Sequence, residues 1–426
     1  MVMTGRFLRY TLLAAAAAVL VTFAAHSSNP VRADGTPAAT MAPTMAGTPV
    51  QLSGDPVVIG VALAQSGTSA LLGQDEAVGA QLAQDYFNST GGINGRPIKL
   101  VVQDTTSDAT TAVNVFNTLI SQNVVAIVGP TLSTEAFAAD PVADKAGVPV
   151  IAPSNTAAGI PQIGHYVIRV SAPIALVAPN AVKAALAINP NIKNVAVYYA
   201  QDDAFSKSET GTFQATVKSL NLNLTTVQTG STKDTDFTTQ ITAIMGTNPD
   251  LVIVSGLSTD APNLVKQLRE VGYTGLVIGG NGLNTPKIFP VCQAQCDGMI
   301  IAQAYSYQAT TDINKTFVQI YMSKQNANPG QFPAQAFSSV QVVVEGLRAL
   351  DKKSPLSGMK LEDLRKALRD QIVGGTYQTP LGEISFTEVK NDKGDAAGGE
   401  VNQKQFYVAQ IKMNSDGKTG QFVFIQ

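Results

Sequence analysis

From residue 55 onward, short apolar runs alternate with longer stretches whose apolar positions recur every three or four residues. Val57-Val-Ile-Gly-Val-Ala-Leu63 is apolar without a break, which predicts a strand buried on both faces. Residues 73–88 place Ala77, Ala80, Leu82, Ala83 and Phe87 on or near one stripe, so a helix is expected there. Gly91-Gly92 stops it and Asn94-Gly95 turns the chain. A strand over 98–102 leads to a helix with Val113, Phe116, Leu119 and Ile120 inward, capped by Asp108 or Ser107. Strands over 124–128 and 148–151 flank a helix over about 134–145. The pattern restarts after Ser171, with helices near 174–187, 206–220, 237–245 and 261–271 between strands at 195–199, 223–227, 251–254 and 275–278. Two rounds of strand–helix–strand predict an α/β fold of two lobes with parallel sheets and right-handed crossovers. A strand at 299–301, helices near 314–325, 334–350 and 361–370, and short strands between polar turns over 381–426 complete the chain.

The N-terminus breaks this pattern. Arg6 and Arg9 precede an apolar run over residues 10–25, and Val31-Arg-Ala33 offers small residues for cleavage after Ala33. The run is shorter than the ~20 residues of a spanning helix, so 1–33 reads as a signal peptide, with an uncleaved anchor as the other reading. Residues 34–54 are rich in Thr, Pro, Ala and Gly without an apolar period, as in a disordered tether. An exported protein, periplasmic or at the cell surface, is expected. With 45% hydrophobic and 14% charged residues the chain can bury large cores, and a net charge of −2 excludes broad attraction to nucleic acid.

Cys292 and Cys296 are the two cysteines of an exported chain, and a local disulfide or a metal site could use them. Zinc would need further ligands, and only His165 follows the signal segment, so no metal is expected. The chain lacks a Gly-x-Ser-x-Gly elbow, a phosphate loop and a Gly-x-Gly-x-x-Gly turn, so no catalytic set and no cofactor are expected. Two strand ends carry polar groups where open α/β sheets bind ligands. Gly129-Pro-Thr-Leu-Ser133 precedes a helix whose N-terminus favours an anion, and Ala152-Pro-Ser-Asn-Thr156 sets three polar side chains in a row. Helix caps and turn formers are the structural alternative for the same residues.

Gly91-Gly-Ile-Asn-Gly-Arg96, the segment from Asp104 to Asp108, Val128-Gly129, Gly147-Val-Pro-Val-Ile-Ala-Pro153 and Leu268-Arg-Glu-Val-Gly272 occur in this order. In that order they resemble the leucine/isoleucine/valine-binding family of periplasmic solute-binding proteins, over about residues 55–412. The resemblance implies a type I binding-protein fold: two Rossmann-like lobes joined by three crossovers, near Ala172–Pro173, Ala304 and Glu400–Val401. Lobe 1 would comprise 55–172 plus 305–400, and lobe 2 would comprise 173–304 plus 401–426. It further implies a receptor that captures a branched-chain amino acid, or a related amide or carboxylate, by hinge closure and delivers it to an ABC permease. A monomer is expected. Carried over by position, Ser133 and Thr156 hold the ligand carboxylate, the Ser154 carbonyl faces its ammonium, and Phe205 and Phe332 are cleft aromatics. Leu257 and Leu72 stand where amino-acid binders often carry Tyr, and Thr134 and Glu135 extend the set. The main departure is Asn281, which replaces a Glu that pairs with the ammonium. Either Glu135 or Asp202 then supplies the charge, or the ligand is not an α-amino acid. A sensory input module and an exported amidase-like enzyme are the alternatives.

Overall fold

The computed structural model describes residues 51–425, so the expected signal segment and the tether up to residue 50 lie outside it. Two sheets organise the described chain. The first draws on β1 (Val57–Leu63), β2 (Ile98–Asp104), β3 (Ile127–Val128), β4 (Val150–Ala152) and β5 (Val167–Arg169). The second begins with β6 (Asn194–Ala200), β7 (Asn223–Gly230), β8 (Leu251–Ser255), β9 (Leu276–Gly279) and β10 (Ile300–Gln303). The chain then returns to the first sheet with β11 (Thr376–Thr379), β12 (Gly382–Lys390) and β13 (Ala396–Gln403) and ends in the second with β14 (Tyr407–Met413) and β15 (Gly420–Phe424). The strand orders are β11-β12-β13-β5-β4-β3-β1-β2 and β15-β14-β10-β9-β8-β6-β7.

The continuous apolar runs sit in the middle of these sheets because helices cover both faces. Around the first sheet lie α1 (Ala70–Ser89), α2 (Ala109–Ser121) and α3 (Ser133–Lys145). The second carries α4 (Ile174–Val177), α5 (Pro179–Ile188), α6 (Ala204–Ser219), α7 (Thr238–Met245), α8 (Asp260–Glu270) and α9 (Phe289–Cys292). The first sheet regains α10 (Asp312–Gln325), α11 (Gln331–Lys353) and α12 (Leu361–Val373). Helix α1 packs closely on α11 at Gly79, where a Cβ would come within 2.0 Å of the Pro333 carbonyl oxygen. Cys292 and Cys296 are joined in a disulfide beside the core of the second lobe, with their Cα atoms 5.5 Å apart.

Three details depart from the expected pattern. The sheets are mixed, because the late strands form hairpins and a short turn can join only antiparallel neighbours. The helix expected over 174–187 is two helices, since Pro179 has no N–H to continue the first and starts the second. The third crossover lies after Gln403, not at Glu400–Val401, because Val401 and Gln403 still pair with Phe386 and Ile384 of β12. Residues 401–403 therefore belong to the first sheet.

Between the first and third crossovers lies an ion pair of a buried arginine with a partly buried glutamate. Arg169, last in β5, neighbours Glu400 of β13, and its guanidinium takes the carboxylate in a two-pronged grip, with Nε donating to Oε1 at 2.9 Å and Nη2 to Oε2. Its Nη1 donates to the Asn155 and Ala157 carbonyls at 3.2 and 2.5 Å. Glu76 of α1 is a fully buried acid with no cation beside it among the described residues. Burial lifts its carboxyl to about 8, against the pull of the Ser154 and Thr131 hydroxyls.

Two outcomes follow for stability. Arg169→Leu leaves Glu400 unpaired and should cost about 3 kcal/mol in urea unfolding, whereas an unchanged midpoint would show the pair to be dispensable. Folding raises the Glu76 pKa above its unfolded value, so the native state holds a proton that the unfolded chain has released, and this group's contribution falls as pH rises from ~5 to ~8. Glu76→Gln should therefore lose less stability across that window than the native protein, by on the order of 3 kcal/mol. Parallel pH profiles of the two proteins would contradict this.

Candidate ligand-binding site

The strand ends of the two sheets face one another across a cleft, and the polar loops after β3 and β4 lie on its first-lobe side. Gly129 adopts a φ of +132° after β3, and a Cβ there would meet the Ala62 carbonyl oxygen at 2.1 Å, so only glycine lets the loop pass so close. The turn delivers Thr131, whose hydroxyl accepts from the Ala64 N–H at 3.0 Å and donates to Glu76 at 2.5 Å. Ser154 Oγ and Asn155 Nδ2 both donate to the Thr131 carbonyl, at 2.8 and 3.0 Å, which ties the two loops together.

Ser133 is not the cap of the helix that it precedes in the sequence pattern. It is the first residue of α3, and Glu135 caps the helix by accepting from the Leu132 N–H at 3.1 Å. The Ser133 hydroxyl is thereby left at the open helix end, with one long contact from the Ala157 N–H at 3.4 Å. Thr156 is buried beside it, and its hydroxyl has no partner among the described residues.

Ser133, Ser154 and Leu72 of the first lobe, with Phe332 at the start of α11, meet Phe205, Leu257 and Asn281 of the second around a tight cavity of about 20 Å³. Thr131, Leu132 and Gly282 complete the walls, and no charged side chain is among them. Thr156 lies behind Ser133 and not in the wall. Asn281 faces the cavity, but its amide oxygen accepts from Gln331 Nε2 at 2.8 Å. Its N–H donates to Glu209 Oε1 at 2.8 Å, and Ser255 Oγ donates to the other oxygen at 2.5 Å. Burial pushes the Glu209 carboxyl up to about 7, although those two bonds favour its charged form.

Thr134 and Glu135 do not reach this cavity. With Asp202 and Asp203 they line a neighbouring space of about 60 Å³, and Leu132 and Leu257 form walls of both. Burial pushes Glu135 to about 7, opposed by hydrogen bonding at Thr105 and the Leu132 N–H. Burial also raises Asp203, against bonds from Ser206 and Thr134. At Asp202 burial acts the same way, but donors from Ser231 and Thr232 outweigh it and hold the group below the usual carboxylate range.

The lobes are in contact along this line. Thr134 Oγ1 donates to Asp203 Oδ1 at 2.7 Å and accepts from the Ala204 N–H at 2.8 Å. Thr259 Oγ1 reaches the Thr68 carbonyl at 2.5 Å, and Ala158 N–H reaches Ser208 Oγ at 3.0 Å. On the far side of the cavity, Thr285 and Lys287 hold Asp75 at 2.7 and 2.9 Å.

The sequence therefore located most of the wall. Thr134 and Glu135 line the second space with Asp202 instead, and Thr156 is not in the wall. Glu209 and Gln331 were missed. Glu209 stands four residues after Phe205, the helical spacing that sets two side chains on one face, so its nearness was readable. Gln331 carried no such signal, because its partners Asn281, Asn284 and Ala304 are distant in sequence.

Residues 56–418 match the family described as Periplasmic binding protein. A leucine-, isoleucine-, valine-, threonine- and alanine-binding protein of Pseudomonas aeruginosa is 24% identical over 345 residues, covering 81% of this chain and 88% of the relative. A branched-chain amino acid transporter substrate-binding protein of Streptococcus pneumoniae, solved with isoleucine, superimposes with a TM-score of 0.72 at 26% identity and covers 87% of this chain and 99% of its own. A solute-binding protein from R. palustris, solved with benzoate, superimposes at 0.71 and 21% identity over 87% of this chain and 96% of its own. This chain belongs to the periplasmic binding protein family.

Proposed function

We propose that the protein is an exported receptor that closes its two lobes around a small carboxylate-bearing, amino-acid-like solute and presents the closed form to an ABC permease. The observation that carries this reading is the cavity itself, whose walls come from both lobes. A solute there touches both halves at once and so favours the closed arrangement over the open one.

The carboxylate belongs at the open end of α3. That helix is 13 residues long, and its free N–H groups and positive end favour an anion. The Ser133 hydroxyl supplies a donor, and Leu72, Phe205, Leu257 and Phe332 cover the hydrocarbon part. Isoleucine and benzoate, bound by the two solved relatives named above, share a carboxylate, in keeping with this assignment.

Isothermal titration against amino acids, amides and small carboxylates tests the reading. At least one carboxylate should bind, and Ser133→Ala should weaken it by about tenfold, the worth of a hydrogen bond to a charged group. Equal binding by this variant would remove the carboxylate assignment. Failure of every solute to bind would remove the receptor reading.

A further inference from the structure

We propose that Gln331 is a positioning residue for ligand selection. It fixes the Asn281 side chain with its NH2 group toward the main cavity, so that this wall selects a ligand with a hydrogen-bond acceptor there, as in a 2-oxo acid, over an α-amino acid. This rests on the receptor reading above and narrows its ligand.

The direction of each amide follows from one backbone group. Ala304 stands where the chain leaves the second sheet for α10. Its N–H can only donate, and it donates to Gln331 Oε1 at 2.6 Å. Asn284 Nδ2 donates to the same oxygen at 3.0 Å. The Ala304 peptide is held from its other side as well, because its carbonyl accepts from Gln403 Nε2 at 2.5 Å. Turning the Gln331 amide over would set its NH2 group against two donors. Nε2 is therefore the atom left for Asn281, and it requires the Asn281 oxygen as its acceptor, at 2.8 Å.

Asn281 is only 6% exposed, yet it is a wall of the main cavity. With Oδ1 taken, the polar side-chain atom it has left is Nδ2, which has no acceptor among the described residues. An unpaired donor in so buried a place is unfavourable, and an acceptor on the ligand would satisfy it. Gln331 itself is not in the wall and acts through Asn281.

The facing wall does not supply what an ammonium needs. The Thr131 carbonyl accepts from both Ser154 Oγ and Asn155 Nδ2, one donor for each lone pair. An ammonium would thus meet N–H at Asn281 and no charged side chain on any wall. A carbonyl oxygen meets neither cost. The cavity is small, which favours an acceptor on the carbon next to the carboxylate.

Titration calorimetry on the purified native protein compares 4-methyl-2-oxopentanoate with leucine and 4-methylpentanoate, and phenylpyruvate with phenylalanine and 3-phenylpropionate. At least one oxo acid should bind about tenfold or more tightly than both its amino and its plain counterparts. Gln331→Glu keeps an acceptor for the Ala304 N–H but offers Asn281 an oxygen in place of the NH2 group. The Asn281 amide then turns over and presents Oδ1 to the ligand, and the oxo-to-amino preference should fall by about tenfold or more. Gln331→Met, which adds no charge, should lower the same preference, and circular dichroism checks the fold of both variants. A residue that only supports the fold would weaken all ligands alike, so an unchanged preference in both variants would overturn the positioning role. A fall with Gln331→Glu alone would assign the effect to the added charge and overturn it too. Leucine or phenylalanine binding as tightly as its oxo acid in the native protein would overturn the selection and leave the receptor standing. If other amino acids, amides or carboxylates bind and none of these solutes does, the selection falls alone; if nothing binds, the receptor reading falls with it.

Discussion

The grip of Arg169 on Glu400 is the constraint on which the cleft depends. The two residues sit side by side in neighbouring strands, each a few residues before the chain crosses to the other lobe. One guanidinium thus fixes the spacing of two of the three crossovers. The same group holds the carbonyls on either side of Thr156, so the loop that faces the helix end of α3 is anchored to the root of the hinge. A flexible lysine would not hold a carboxylate and two carbonyls in one plane in this way.

Around that anchor the protein separates two kinds of polar surface. The main cavity is walled by hydroxyls, an amide and apolar side chains, with its buried acids Glu76 and Glu209 held one layer back. Burial disfavours the charged form of both, so each serves as a hydrogen-bonding strut more than as a countercharge. In the neighbouring space Glu135 and Asp203 are buried as well, and Asp202 alone is exposed.

How much of this the sequence disclosed follows from the range of each interaction. The strands were legible because burial on both faces leaves unbroken apolar runs, as in Val57–Leu63. The cavity wall was largely legible because resemblance places Ser133, Ser154, Phe205, Leu257, Asn281 and Phe332 by position. What stayed hidden depends on contacts between distant segments. Gln331 meets Asn281 across 50 positions and Arg169 meets Glu400 across 231, and no local pattern encodes either. Glu135 is the opposite case: its bond to Leu132 is only three residues long, a cap visible in the spacing.

The seam between the lobes is made mostly of small hydroxyls: Thr134, Thr259, Thr285 and Ser208. Water can replace each of these bonds when the lobes part, and such exchanges nearly balance. Lys287 with Asp75 is the one ionic clasp among these contacts. A seam of this kind neither locks the cleft nor forces it apart. The protein is left close to a balance point, where a solute of modest size can decide which shape prevails.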